Sequence, residues 1–351
     1  MPNVKGHAFP KIIAIVGPTA SGKTDVALAI AHSLSKSNFD KASLGGEIIL
    51  ADSRQIYRGT DIATNKVRST NRHETPYKSR GLGYTGRTEN EPTRNTPNGR
   101  GETSTIQGVP YHGLDLVEPD DVFTVSQWKT WAEKTISEIL ERGWTPIIEG
   151  GTGLYVSALL ENWQFPPAKP DPALREHIEE RIAREGVAAI AKEVLERDSE
   201  AAAFLDIQNP RRVARALEVI ESTRLPFSAQ RTKGERKYDA LVIGIARPLE
   251  DIDKRIEARA AQQFDAGLED EARAMLKKYG DQLPAMTSIG YIEWQDYFDG
   301  TISRDDVLVR NIKRNRDLAR AQLKWWKKNP TIRWVQSETE AVRNTEDFLK
   351  D

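Results

Sequence analysis

The chain has 351 residues and no cysteine, and its 51 Lys and Arg nearly cancel 52 Asp and Glu, for a net charge of −1. Disulfides and thiolate metal sites are thereby excluded, and overall charge selects no partner, so any affinity for nucleic acid has to come from local patches. No apolar run reaches membrane-spanning length and no signal-peptide core is visible, so a cytoplasmic protein of two domains, or of one domain carrying an insertion, is expected.

The first predicted element is a strand over residues 12–16. Ile12-Ile13-Ala14-Ile15-Val16 is apolar throughout, as in a parallel strand buried on both faces. It runs into Gly17-Pro18-Thr19-Ala20-Ser21-Gly22-Lys23-Thr24, which fits the phosphate-loop pattern of Gly, four residues, then Gly-Lys-Ser/Thr. A helix opening near Gly22, with Val26, Leu28, Ile30 and Leu34 on its apolar side, completes the strand–loop–helix context. Glycines let backbone N–H groups converge on phosphate oxygens, and the helix N-terminus adds a favourable field. Lys23 suits a terminal phosphate and the Thr24 hydroxyl suits Mg²⁺. The loop predicts a di- or triphosphate ligand, and by itself does not separate ATP from another diphosphate.

A second strand, 47–51, ends at Asp52-Ser53-Arg54-Gln55. Ligands of open α/β sheets bind outside the carboxyl ends of strands, so Asp52 is expected to face the phosphate-loop cavity. Its carboxylate there suits Mg²⁺ or a proton from an attacking nucleophile; the bland alternative is a turn cap. Residues 67–107 are rich in Thr, Asn, Gly, Arg and Pro and read as a solvated, disordered insertion. A helix over 125–141 and a strand over 146–149 lead to a second glycine turn, Gly150-Gly151-Thr152-Gly153-Leu154-Tyr155, opening a helix over 154–160. Thr152 gains weight because two such turns on one parallel sheet converge on one crevice.

From 163 to 237 no strand is predicted, only helices over 172–185, 188–197 and 210–221. Arg211, Arg212 and Arg215 fall on the last of these, opened by Asn209-Pro210. A strand over 241–245 follows, then one long helix over 249–279 that carries Arg255 and Arg259 four apart on one face. The next helix, 305–328, holds Arg310, Lys313, Arg314, Arg316, Arg320, Lys324, Lys327 and Lys328 with Asp317 as its acidic counterpart, which favours phosphate or nucleic-acid contact. Trp325 and Trp326 read as packing residues. A strand over 332–335 closes the pattern. The five histidines have no metal-ligand spacing. The fold class is α/β: a phosphate-loop NTPase-like core with a parallel sheet over 1–162 and 238–351, and a helical insertion domain over 163–237.

Together these segments resemble one family, the bacterial tRNA dimethylallyltransferases (tRNA isopentenyltransferases). The resemblance rests on residues 17–24, Asp52-Ser53, Ile56-Tyr57-Arg58-Gly59, Asp61-Ile62-Ala63-Thr64, Val117-Glu118-Pro119 and residues 150–155. It continues through residues 211–219, Arg255-Ile256-Glu257 with Arg259, Ile289-Gly290-Tyr291, and residues 316–325. It covers nearly the whole chain apart from 67–107 and the two ends. Thr287 and Ile292 stand where the family carries longer polar or basic residues, and Ala321 where a basic one is common.

The resemblance implies transfer of a dimethylallyl group from dimethylallyl diphosphate to N6 of the adenosine 3′-adjacent to the anticodon, in tRNAs reading codons that begin with U. Residues 19–24 would bind the diphosphate together with Arg259, and Lys23 would stabilise its charge. Asp52 would act as general base, and Mg²⁺ would sit at Thr24. Contacts to tRNA would come from Asp52, Ser53, Arg54, Gln55, Thr152 and Arg175, from Arg211, Arg212, Val213, Ala214 and Arg215, and from Thr287, Ser288, Ile289, Gly290, Tyr291 and Ile292. Arg316 and Arg320 complete the set. A monomer without an obligate protein partner is expected. The rivals are an adenylate isopentenyltransferase acting on free AMP, ADP or ATP, a nucleotide or small-molecule kinase, and a non-catalytic RNA-binding protein.

Overall fold

In a computed structural model of the chain, residues 9–36, 45–67, 103–165, 171–230 and 232–350 are described. They fall into two compact units, one formed by Met1–Leu160 with Lys237–Asp351, the other by Glu161–Arg236.

The first unit is a seven-stranded sheet between helices. Strand β1 (Lys11–Val16) leads through the phosphate loop to α1 (Lys23–Lys36), then to β2 (Gly46–Leu50). Most of the predicted insertion, residues 68–102, lies outside the described residues. Its C-terminal edge does not follow the expected irregular pattern: Ser104–Ile106 forms β3, paired antiparallel with β4 (Val109–His112). Helix α2 (Val125–Glu141), β5 (Thr145–Gly150) and α3 (Gly153–Leu160) follow.

The chain returns at Lys237 with β8 (Asp239–Ile245), preceded in the second unit by β6 (Trp163–Gln164), α4 (Pro172–Glu185), α5 (Val187–Arg197), α6 (Pro210–Thr223) and β7 (Thr232–Lys233). After β8 come α7 (Leu249–Asp265), α8 (Leu268–Tyr279), the short α9 (Gln295–Phe298), α10 (Arg304–Trp326), β9 (Arg333–Val335) and α11 (Glu338–Lys350).

The strand order is β3-β4-β2-β5-β1-β8-β9, parallel except for the β3–β4 pair. Strand β1 lies inside the sheet between β5 and β8, and its alternating side chains feed two cores. Ile13 and Ile15 pack with α1 and the β3–β4 edge, while Ile12, Ala14 and Val16 pack with α2 and α3. On that second face Trp128 is fully buried and stacks on Tyr155 with centroids 4.6 Å apart, and its indole N–H donates to the Leu50 carbonyl at 3.1 Å. A third cluster joins α8 and the segment after it to Ile56 and Tyr57, which follow β2.

The second unit has its own core, in which Ile178, Ile190, Val194, Val213, Ala214 and Leu217 are buried between α4, α5 and α6. Helix α6 starts where Asn209 accepts from the backbone N–H groups of Arg211 and Arg212, with Pro210 in its first turn. Contrary to the reading of this stretch as strandless, Trp163–Gln164 and Thr232–Lys233 pair antiparallel at its entrance and exit. The predicted helix over 249–279 is two helices, divided at Gly267, whose φ of 93° is accessible at little cost only to glycine.

Candidate active site

The phosphate loop occupies the carboxyl end of β1. Gly17 (φ 151°), Ala20 (φ 62°) and Gly22 (φ 96°) take left-handed backbone angles, and a non-glycine residue there costs about 1 kcal/mol or more. Three cations hold that path by gripping loop carbonyls. Lys23 Nζ donates to Pro18 O at 2.9 Å, Arg255 Nε to Ala20 O at 2.9 Å and Arg247 Nε to Ser21 O at 3.0 Å. Two of the loop's amides are already engaged, Ser21 N donating to Pro18 O at 3.3 Å and Thr19 N to a side chain of α10.

Arg259, on α7, reaches the loop directly: Nη1 donates to Thr19 Oγ1 at 3.0 Å, and Nη2 to Asn315 Oδ1 of α10 at 3.1 Å. Gln322, one helical stretch further along α10, ties the two glycine turns together. Its Oε1 accepts from Thr19 N at 2.7 Å and its Nε2 donates to Gly151 O at 3.0 Å.

Asp52 follows β2, next but one to β1 in the sheet. Its Oδ1 accepts from Arg54 N at 2.8 Å and Gln55 N at 3.3 Å, so the capping reading is realised. The same carboxylate also acts on the crevice. Burial depresses the pKa of Lys23, with Arg259 adding to the effect, while the charges of Glu149 and Asp52 oppose it. Burial likewise depresses Arg259, opposed by Asp52. Two desolvated cations beside a concave row of amides form a receptor for a polyanion.

The second glycine turn is locked against the first strand end. Gly150 lies so close to Ala51 that a Cβ would fall 2.1 Å from its carbonyl oxygen. Thr152 N donates to Ala51 O at 3.1 Å, and Thr152 Oγ1 accepts from Ser53 N at 3.0 Å. Gly153 sits against Trp325, whose indole would be 2.4 Å from a Cβ there. Trp325 is thus a packing residue with an exposed edge, and Trp326 is buried.

Glu149, Gln322 and Arg247 were not singled out from the sequence. Glu149 ends β5, buried, with Oε2 accepting from the Tyr111 hydroxyl at 2.5 Å and Oε1 facing the Thr24 hydroxyl at 3.5 Å. Burial raises its pKa, opposed by Lys23 and the Tyr111 and Thr24 hydrogen bonds. A charged residue closing an otherwise apolar strand was the available signal.

The predicted tRNA contacts divide. In the first unit Asp52, Ser53, Arg54, Gln55 and Thr152 line the strand ends, with Arg54 reaching the Pro284 carbonyl and Gln55 Nε2 the Thr64 carbonyl at 3.3 Å. Among residues 287–292, Thr287, Ile289 and Ile292 are half-buried. Ser288 and Tyr291 are buried, Ser288 Oγ donating to Ala285 O and the Tyr291 hydroxyl to Glu271. Gly290 turns at φ 103° against Ala63. The side chains of Ser288 and Tyr291 are thus engaged within the protein.

In the second unit Val213 and Ala214 are fully buried in its core. There Arg175 pairs with Glu179 and Glu218, Arg215 with Glu218 at 3.1 Å, and Arg212 with Asp206 at 3.9 Å. Arg211 has no ion-pair partner among the described residues. The one-sided basic face of α10 is corrected, because its partners come from other elements. Arg316 pairs with Glu257 and Asp253, Arg320 with Asp253 at 2.8 Å, Arg310 with Asp296 and Arg314 with Glu293.

The IPP transferase family model matches residues 99–329. The tRNA dimethylallyltransferase of Bifidobacterium animalis subsp. lactis is 34% identical over 339 residues, 97% of this chain and 86% of that protein. That of Roseiflexus sp. is 34% identical over 322 residues, 92% and 91% of the two chains. Among solved structures, the full-length tRNA isopentenylpyrophosphate transferase from Bacillus halodurans superimposes with a TM-score of 0.62 at 28% identity, covering 97% of this chain and 95% of that one. A eukaryotic dimethylallyltransferase acting on tRNA shares the fold, with a TM-score of 0.71 at 20% identity over 97% of this chain and 79% of the other.

Proposed function

The chain belongs to the IPP transferase family, and on that premise we propose that it transfers a dimethylallyl group from dimethylallyl diphosphate to N6 of the adenosine 3′-adjacent to the anticodon, in tRNAs reading codons that begin with U, with release of diphosphate. The observation that carries this reading is a carboxylate close enough to a polyanion cradle to act on it: the charge of Asp52, at the end of β2, is felt by both Lys23 and Arg259. The relatives named above are tRNA enzymes, so the alternative of a free adenylate acceptor gains no support from them.

In this reaction the allylic C–O bond loosens and negative charge gathers on the departing diphosphate. The loop amides of residues 19–24 and the cations of Lys23 and Arg259 are assigned to that charge; Thr19 N, Ser21 N and the Lys23 ammonium have to release Gln322 Oε1, Pro18 O and Pro18 O, respectively, to meet it. The adenine amine is a weak nucleophile because its lone pair is delocalised. Asp52 takes its proton as the N–C bond forms, and the turn from Arg54 and Gln55 that fixes Oδ1 aims the carboxylate. A base in an anticodon loop reaches such a crevice more cheaply than one in a duplex.

Among the described residues no group of three or more His, Cys, Asp or Glu gathers as a metal cage. One hydroxyl, a nearby buried carboxylate and substrate phosphates nevertheless suit Mg²⁺, which keeps several waters and takes few protein ligands. Thr24 would hold it. When bound, Mg²⁺ supplies positive charge to the diphosphate. Arg211 and its neighbours on α6 are assigned to the RNA backbone, as are Lys324, Lys327 and Lys328 of α10, which have no ion-pair partner among the described residues. The protein acts as a cytoplasmic monomer in this reading.

Nucleoside mass analysis tests the reading. Unmodified tRNA incubated with the protein, Mg²⁺ and dimethylallyl diphosphate is expected to yield N6-isopentenyladenosine. Product on AMP with none on tRNA, or no product on either, would reject it.

A further inference from the structure

Glu149 enters the reading above only as a carboxylate near Thr24, with no role of its own, yet it is a buried charge at the phosphate loop. It is 4% exposed, registered beside Ile15 of β1 and Leu50 of β2, and surrounded by aliphatic strand residues. Such a group persists only when its charge has a use or a partner. Its hydrogen-bond partners are two hydroxyls, those of Tyr111 at 2.5 Å and Thr24 at 3.5 Å, and among the described residues it forms no ion pair. Lys23, whose charge acts on it, sends its ammonium to the Pro18 carbonyl instead.

A diphosphate seated on the loop amides would therefore face an anion across Thr24. Two negative groups share so small a space with a cation between them or with one of them protonated, and the Thr24 hydroxyl stands where such a cation would bind. The direction of the Thr24 contact fits that arrangement. The hydroxyl donates its proton to Glu149, which leaves its oxygen lone pairs free for a metal.

We propose that Glu149 is a positioning carboxylate for the divalent cation of this site, orienting the Thr24 hydroxyl toward the ion and balancing the ion's charge from beneath the loop. The proposal rests on the reading of the loop as a diphosphate cradle, and it extends that reading to a residue outside the phosphate-loop motif. Tyr111 belongs to the same device: its hydroxyl, kept protonated by burial, holds the second carboxylate oxygen.

The test uses the full chain, Mn²⁺ as the metal probe and inorganic diphosphate as the anion, with bound Mn²⁺ read by electron paramagnetic resonance. Glu149→Gln is expected to weaken Mn²⁺ binding in the presence of diphosphate by about 10–100-fold. Metal-free diphosphate binding should hold or tighten, because an opposing anion is gone. That split separates the proposal from a misfolded site, which would lose both. Mn²⁺ affinity within about twofold of the parent would overturn it and leave Glu149 a strut beneath Thr24.

Should Glu149→Gln fail to fold, Glu149→Asp replaces it. With its carboxylate withdrawn by one methylene, Mn²⁺ affinity is expected to drop by about threefold or more while metal-free diphosphate binding is unchanged. Parity in both measurements would overturn the proposal. A parent chain that binds no diphosphate with or without Mn²⁺ would instead reject the cradle reading, and this proposal with it.

Discussion

Asp52 carries two duties that one substitution can pull apart. Its Oδ1 secures the Arg54–Gln55 turn, and its charge stands ready for the amine proton. Asparagine keeps an acceptor oxygen in the same place and loses the basicity. Asp52→Asn is therefore expected to lower single-turnover prenylation by about 10²–10⁴-fold, with tRNA affinity, read by filter binding, staying within about threefold. Equal losses in rate and affinity would assign the residue to recognition. For Arg259, whose guanidinium reaches Thr19 at 3.0 Å, replacement by Ala should weaken diphosphate binding by about 10–100-fold in calorimetry, the usual worth of a charge-assisted hydrogen bond.

Among the elements, the junction of β2 and β5 is the least forgiving. A methyl group on Gly150 would enter the Ala51 backbone, which has nowhere to go because Ala51 N is bound to Glu149 O at 2.7 Å and Thr152 N is bound to Ala51 O. Gly150→Ala is expected to cost about 2–3 kcal/mol and to lower the thermal midpoint by several degrees in calorimetry. The glycine turn, the loop before it and the strands under both were visible in the sequence, since each is a short run whose pattern is local. The division of 249–279 was not, although Gly267 marked it, because the apolar period continues on both sides.

Strand β4 escaped notice because its four residues include Pro110, and α11 because its apolar residues are few. Glu149 and Gln322 acquire their meaning only from partners 125 and 303 residues away. No window along the chain contains such pairs. The paired arginines of α10 illustrate the same limit in reverse: counted along one helix they look unbalanced, and α7 neutralises them in space.

For the whole molecule, one contribution to acid tolerance lies at Glu47, at the start of β2. Burial alone would raise its pKa, but His112 at 2.6 Å and Arg142 at 2.7 Å outweigh burial and hold it below the ordinary 4.5. A carboxyl depressed by folding contributes stability that is present above its unfolded value and disappears as pH falls through its folded one. Thermal midpoints should thus fall as pH drops below about 4.5, and Glu47→Gln should blunt that fall while lowering the midpoint at neutral pH.

The small antiparallel ladder of Trp163–Gln164 with Thr232–Lys233 brings the entrance and exit of the second unit side by side, about 5 Å apart as in any strand pair. Such a hem makes the unit a detachable cassette. A gene joining residues 1–160 to 237–351 through a few glycines should yield a soluble remnant that still grips diphosphate yet has surrendered much of its hold on tRNA, and calorimetry beside gel-shift titration would register the split. Exchange of the cassette for another acceptor module would leave the sheet of the first unit unaltered.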